Sequence, residues 1–270
     1  MVLHSKGRDR GMLASFLEKL SNYIDFTENE RQVLKDTVKS VRHYEKKGVD
    51  IISIGERPLG VHLMLKGWAC RYKLLEDGSE HIMAYLMPGD MCNVHTTLLK
   101  QMDHSIRTMT EATVASITHE QINDIIDHYP RIARALFWSM LVDEGILREW
   151  LVNLGSRSAE ASLAHLFCEL LTRSRAAGLT QDNSFCLPLS QAELSDAQGR
   201  SPVHVNRVLK KLRNDGLISF RNKRLTILDW EKLVQLAQFD PGYLHLERYV
   251  GDVVPNSRHG KPTCRAERNK

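Results

Sequence analysis

Apolar positions recur at helical spacing twice before residue 40. The first set is Leu13, Phe16, Leu17 and Leu20; the second is Val33, Leu34 and Val38, preceded by Thr27 and Glu30 at capping-box spacing. From about Val41 to Ile117 the period shortens to two. Val61, Leu63 and Leu65 alternate up to Lys66 and Gly67, and a strand from Trp68 to Leu75 runs into Glu76-Asp77-Gly78-Ser79, a strong hairpin signal. His81, Met83 and Tyr85 alternate on the return, which stops at Met87-Pro88-Gly89-Asp90, and Thr113, Ala115 and Ile117 close the series. Short strands at this spacing predict a small antiparallel barrel or roll.

Helical periodicity then resumes. Thr118 and Gln121 make a second capping box for a helix ending near Tyr129 and Pro130. A long helix is predicted over 131–154 with two apolar series. One holds Ala133, Phe137, Met140, Leu147, Leu151 and Leu154, close to a heptad; the other holds Ile132, Leu136, Ile146 and Trp150. Two stripes need two partners, so one is expected on the roll and the other against a second copy of the chain. The residues expected at that seam are Phe137, Met140, Leu147, Trp150, Leu151 and Leu154. Gly155 and Ser156 end the helix, Ser158 caps the next, and Leu163, Leu166, Phe167, Leu170 and Leu171 give its apolar face.

Residues 188–228 carry the chemistry. Ser190 and Glu193 open a short helix, Gly199 suits a tight turn, and Ser201 caps a second helix with Pro202 at its first position. Helix, glycine turn and capped helix is the helix-turn-helix pattern. On the second helix Val205, Val208, Leu209 and Leu212 share one side, while Val203, Asn206, Arg207, Lys210 and Lys211 lie opposite with His204 at the flank. A cationic, donor-rich face fits an acceptor-rich major groove. Beyond Asn214-Asp215-Gly216, strands Leu217–Phe220 and Leu225–Leu228 flank Arg221, Asn222, Lys223 and Arg224, a two-stranded wing suited to phosphate contacts.

Composition sharpens this reading. The 270 residues contain 42% hydrophobic and 26% charged residues, ordinary for a soluble globular chain of about two domains. The balance of 37 basic against 33 acidic residues is only +4. Between Arg200 and Arg224, however, Asp215 is the one acidic residue, so the positive charge gathers on the predicted reading helix and wing. The five cysteines (70, 92, 168, 186 and 264) are too scattered for a disulfide framework, no stretch is apolar enough for a membrane span, and the basic start leads into no secretion-type segment. A cytoplasmic location and no membrane partner are expected.

The segment from Leu189 to Ile218, with the Met87–Asp90 turn, the long helix and the wing in this order, resembles the CRP/FNR superfamily of bacterial transcriptional regulators over about residues 15–240. The resemblance implies an α+β architecture: a cyclic-nucleotide-binding-like β-roll (12–130), a dimerisation helix (131–154) and a winged helix-turn-helix (155–239). The tail (240–270) has few apolar residues after Val254 and is expected to be largely disordered. It implies a homodimer on double-stranded DNA that reads a near-palindrome with paired helices, with RNA polymerase a further candidate partner. The DNA-contacting positions are then Ser201, Val203, His204, Asn206, Arg207, Lys210, Lys211, Arg221, Lys223 and Arg224, with Arg207 expected on a guanine. Family members often place an acidic residue where Val203 stands and Ser or Gly where Asn206 stands, so a shifted half-site is expected.

The resemblance also sets expectations for the effector. Members that bind cyclic nucleotides carry Gly-Glu and Arg-Ser/Thr after the Pro-Gly-Asp turn; here the stretch reads Met91-Cys92-Asn93-Val94-His95, and Arg107-Thr108 is expected to face solvent. Cyclic AMP is therefore not the expected effector, and the effector stays unassigned. The first cysteine, Cys70, lies inside a strand, so no N-terminal cysteine cluster offers itself to an iron–sulfur centre. His62, His81, His95 and His104 offer axial ligands to a haem, although a lone roll histidine is more often a surface or satisfied core residue, and Cys92 is expected to be a buried, inert thiol. No cofactor, metal or catalytic set is expected. The rival readings are a roll serving only as a ligand or protein interaction module, and a cupin-like metalloenzyme with His95 as its one ligand.

Overall fold

The computed structural model describes residues 13–38 and 40–246. Helix α1 (Ala14–Ser21) buries Phe16, Leu17 and Leu20, and α2 (Glu28–Asp36) starts at the Thr27–Glu30 capping box. The roll follows as β1 (Ser40–Tyr44), β2 (Asp50–Ile52), β3 (Gly60–Lys66), β4 (Ala69–Leu74), β5 (Glu80–Leu86), β6 (Ser105–Thr108) and β7 (Ala112–Thr118). Among the described residues these strands form two antiparallel sheets, ordered β1-β7-β3 and β2-β6-β4-β5. Tyr44, Met64 and Val114 of the first sheet and Ile52, Ala69, Leu86 and Ile106 of the second join in one buried cluster, while Val61, Leu63, Cys70, Ile82 and Ala115 belong to the core shared with the helices.

Along β5, Ile82, Ala84, Tyr85 and Leu86 are buried, while His81 and Met83 are half-buried. The pairing with β4 shifts register between Arg71 and Tyr72, and the far end of β5 is covered on both faces. Tyr85 is covered there by the edge of Trp150, ring centroids 5.6 Å apart.

Helix α3 (His119–His128) begins at the Thr118–Gln121 box and leads into α4 (Pro130–Gly155), which has proline at its first turn. Ile132, Leu136, Val142, Ile146 and Trp150 are buried within the chain, whereas Phe137, Leu141, Leu147 and Leu151 are exposed. The expected seam residue Trp150 is therefore corrected: it is 4% exposed and its indole N–H donates to Glu169 Oε2 at 3.1 Å. Helix α5 (Ala159–Ala176) is buried nearly all round, its start capped by Ser158, which accepts from the Ala161 N–H.

The C-terminal part comprises β8 (Ser184–Cys186), α6 (Gln191–Gln198), α7 (Pro202–Asn214), β9 (Ile218–Arg221), β10 (Arg224–Ile227) and α8 (Trp230–Ala237). The wing is three-stranded, not two-stranded: β8 pairs with β10, placing Cys186 opposite Arg224. The tail prediction also needs correction at its start. Residues 241–244 form a short 3-10 turn in which Tyr243 stacks on His165, its hydroxyl donating to Glu169 at 3.1 Å. Residues 247–270, with Cys264 and most of the expected tail, lie outside the described residues.

The two halves meet at the Pro88-Gly89-Asp90 turn. Gly89 holds φ +95°, and a side chain there would sit 2.8 Å from the Ser15 carbonyl oxygen, so α1 packs directly on the turn. The buried Asp90 carboxylate takes Lys19 of α1 at 2.8 Å, Arg173 of α5 at 3.0 Å and the Met87 N–H at 2.9 Å. Burial raises its pKa, but the two cations and these hydrogen bonds outweigh that effect and hold it below the ordinary carboxylate range. Arg173 also reaches Glu169 at 3.1 Å and the Tyr85 carbonyl at 2.9 Å. Asp90→Asn keeps the volume, removes the carboxylate that pairs with Lys19 and leaves Arg173 with Glu169. It should lower unfolding free energy by about 3–5 kcal/mol in urea denaturation at pH 7; a loss below about 1 kcal/mol would show that the cluster contributes little.

Candidate nucleic-acid interface

Helix α6 is fixed before α7 is presented. Its N-cap Ser190 accepts from the Glu193 N–H at 3.2 Å, and the Glu193 carboxylate accepts from the Ser190 N–H at 2.7 Å. The same carboxylate pairs with Lys47 of the roll at 2.7 Å, and the Tyr85 hydroxyl donates to the Glu193 carbonyl at 2.8 Å. Burial pushes the Glu193 carboxyl up, while Lys47 and the cap hydrogen bonds bring it below its ordinary value. Gly199 then closes α6 at φ +57°, with Leu154 of α4 only 3.2 Å from where a side chain would begin. The sharp turn and the close helix both favour glycine at this position.

Helix α7 follows from Ser201, whose hydroxyl accepts from the His204 N–H at 3.3 Å. Val205, Val208, Leu209 and Leu212 are buried, each 4% exposed or less. Sinking such side chains is worth roughly 1.5–3 kcal/mol apiece, which fixes the rotation of the helix about its axis. Ser201, Val203, Asn206, Arg207, Lys210 and Lys211 are consequently exposed and His204 is half-buried.

Several of these groups already have partners. The Asn206 amide donates to Gln191 at 2.7 Å, Arg207 lies 3.2 Å from His204 Nδ1, and Lys211 pairs with Glu160 of α5 at 2.6 Å. Arg200 and Gln191 were not singled out from the sequence. Arg200 donates to the Arg157 carbonyl and, with His204, Arg207 and Lys211, lines a cleft of about 410 Å³ against the start of α5. Its basic position just ahead of the Ser201 cap was the available sequence signal.

The wing tip is a tight hairpin. Arg221 and Arg224 pair across it while Asn222 and Lys223 take φ of 50° and 58°, the double left-handed turn that suits a two-residue hairpin. All four side chains are exposed, and Arg224 reaches the Ser184 hydroxyl at 3.3 Å. Beside the α7 face, the wing adds cations whose charges attract phosphates independently of sequence.

The roll offers no comparable open anion site at Arg107. Arg107 does not face solvent as expected. It makes a two-point pair with Glu80 and lies over the Tyr72 ring at 4.4 Å, while Thr108 is buried and bonded to the loop carbonyl of Lys46 at 2.9 Å. Burial pushes both the Cys70 and Cys92 thiols up to about 12, so neither is a ready thiolate. His95 is not an isolated ligand: it lies beside His104 and Asp103. Among the described residues, no helix is long and apolar enough to cross a membrane.

Residues 41–129 match the cyclic nucleotide-binding domain family, and residues 161–236 match the Crp-like helix-turn-helix domain family. The chain is 24% identical over 217 residues to the transcriptional activator protein FnrL of Cereibacter sphaeroides, covering 79% of this chain and 86% of that protein. It is 22% identical over 215 residues to the fumarate and nitrate reduction regulatory protein of Vibrio cholerae, covering 79% and 86%. Its fold is similar to that of FixK2 from Bradyrhizobium japonicum, with a TM-score of 0.65 at 21% identity over 73% of this chain and 96% of that one.

Proposed function

The chain belongs to the Crp/FNR family of transcriptional regulators, and from that premise we propose a homodimer that reads a near-palindromic operator through α7. The carrying observation is that the buried Val205, Val208, Leu209 and Leu212 of α7 leave Arg207 exposed on the opposite face of the helix. Arg207 pairs with guanine O6 and N7, Asn206 reads adenine or a phosphate, and Val203 packs on a thymine methyl. Val203 cannot accept a hydrogen bond from cytosine, so the half-site is shifted from the usual family sequence. Ser201, His204, Lys210, Lys211, Arg221, Lys223 and Arg224 supply flanking and phosphate contacts, Lys211 on release from Glu160.

Dimerisation is supported by the apolar stripe on α4. Phe137 is 57% and Leu151 68% exposed, with Leu141 and Leu147 beside them and Met140 and Leu154 at the margins. Such a row on one helix is the kind of surface a second copy covers. The protein works by binding, without catalysis, in the cytoplasm where its DNA partner lies. Arg107 is committed to Glu80, which supports an effector other than a cyclic nucleotide held at that arginine.

Arg207→Ala should weaken binding to a selected operator by roughly 10- to 100-fold and relax specificity at one position per half-site. Arg224→Ala should weaken all sequences alike and reduce the salt slope by about 1. Unchanged operator affinity in Arg207→Ala would refute the reading. Leu151→Asp should convert the dimer to a monomer in sedimentation equilibrium; a dimer of undiminished strength would remove α4 from the seam.

A further inference from the structure

We infer that the roll binds a first-row divalent transition-metal ion, ligated by His95 and His104 and positioned by Asp103. His95 lies in the short 3-10 turn Val94–Thr97, and His104 immediately precedes β6. A ring nitrogen of each and a carboxylate oxygen of Asp103 lie within 4.8 Å of one another, and the two ring centroids are 5.5 Å apart.

The second observation is independent of that proximity. His104 is only 9% exposed, and its Nε2, like Nε2 of His95, is shielded from solvent without a hydrogen-bond partner. Leaving such a nitrogen unsatisfied costs about 1–3 kcal/mol, so each calls for a partner. Asp103 lies 2.6 Å from His104 Nδ1, which places the ring proton on Nδ1 and leaves the Nε2 lone pair free. A carboxylate behind an imidazole is the arrangement that orients metal-binding histidines.

The surrounding charge is compatible with a cation. The nearby Arg71 is held by Asp143 at 2.9 Å and by the Met91 and Cys92 carbonyls. Asp143 and Glu144 join His95 in lining a groove of about 180 Å³ against α4. Paired imidazoles select zinc, cobalt, nickel, copper or iron over calcium or magnesium. Metal–nitrogen bonds of about 2.0–2.1 Å require the donors to close by roughly 1.5 Å, within reach of side-chain rotation. Water completes the coordination. The site stands apart from the DNA reading and needs no operator.

The test is titration of chelator-treated, full-length protein with Co²⁺ alone, followed by visible absorption, in the absence of DNA. One ion per chain is expected, with nitrogen and oxygen ligand-field bands. His95→Ala and His104→Ala should each abolish uptake, while His81→Ala should leave it intact. Asp103 is 79% exposed at its side chain, so Asp103→Asn should fold normally yet bind about 10- to 100-fold more weakly. Far-UV circular dichroism checks each fold, and His95→Gln or His104→Gln replaces an alanine variant that fails. No saturable uptake, uptake unchanged in both histidine variants, or a thiolate charge-transfer band would each overturn the site. Operator binding is measured separately, so failure of one reading leaves the other standing.

Discussion

A buried carboxylate shared by two cations holds this molecule's halves in register. Asp90 stands at the roll's tight turn and takes Lys19 from one side and Arg173 from the other. Apolar burial around it is large but non-directional, and tolerates sliding of one element over another. Charged hydrogen bonds at fixed distances do not. Arg173 extends the cluster to Glu169, which also accepts from the Trp150 indole and the Tyr243 hydroxyl. Burial raises the Glu169 carboxyl above its ordinary value despite Arg173 and these donors, a measure of how dry the junction is. The roll, the long helix, α5 and the turn at Pro241–Leu244 are thereby tied at one place.

The orientation of the reading helix descends from that junction. Helix α6 leans on β5 through Tyr85 and on the β1–β2 loop through Lys47, and α7 is set against α6 by the Gly199 turn. The position of Arg207 is therefore the last step in a chain of fixed contacts. The wing adds charge: its cations extend into solvent from a hairpin held by its own turn and by the pairing of β10 with β8. Specific readout and general attraction thus come from separate elements.

The reading helix was legible because its evidence is local. Cap residues, Pro202 and the 3.6-residue period of Val205, Val208, Leu209 and Leu212 are all consecutive in sequence. The capping boxes at Thr27, Thr118 and Ser190 are local in the same way. What escaped was set by partners far along the chain. Trp150 falls by its period with Ile132, Leu136 and Ile146, the series that is buried, and its place at the expected seam went against that period; its partner Glu169, nineteen positions on, is visible in no pattern. Strand β8 is three residues long, too short to show alternation, and exists through pairing with β10. Arg107 was assigned to solvent because Glu80, from a neighbouring hairpin, could not be placed beside it. The histidines at 95 and 104 meet across a loop whose path no pattern predicts.

Two copies of α7 seated in major grooves cover guanine N7, which faces that groove alone. Methylation interference at N7, with the full-length protein on a selected operator, therefore tests the seating of α7. Two clusters of interfering guanines centred about 10–10.5 base pairs apart, related by the operator's two-fold axis, are expected. Binding indifferent to N7 methylation, or interference confined to a single unrepeated cluster, would contradict that seating.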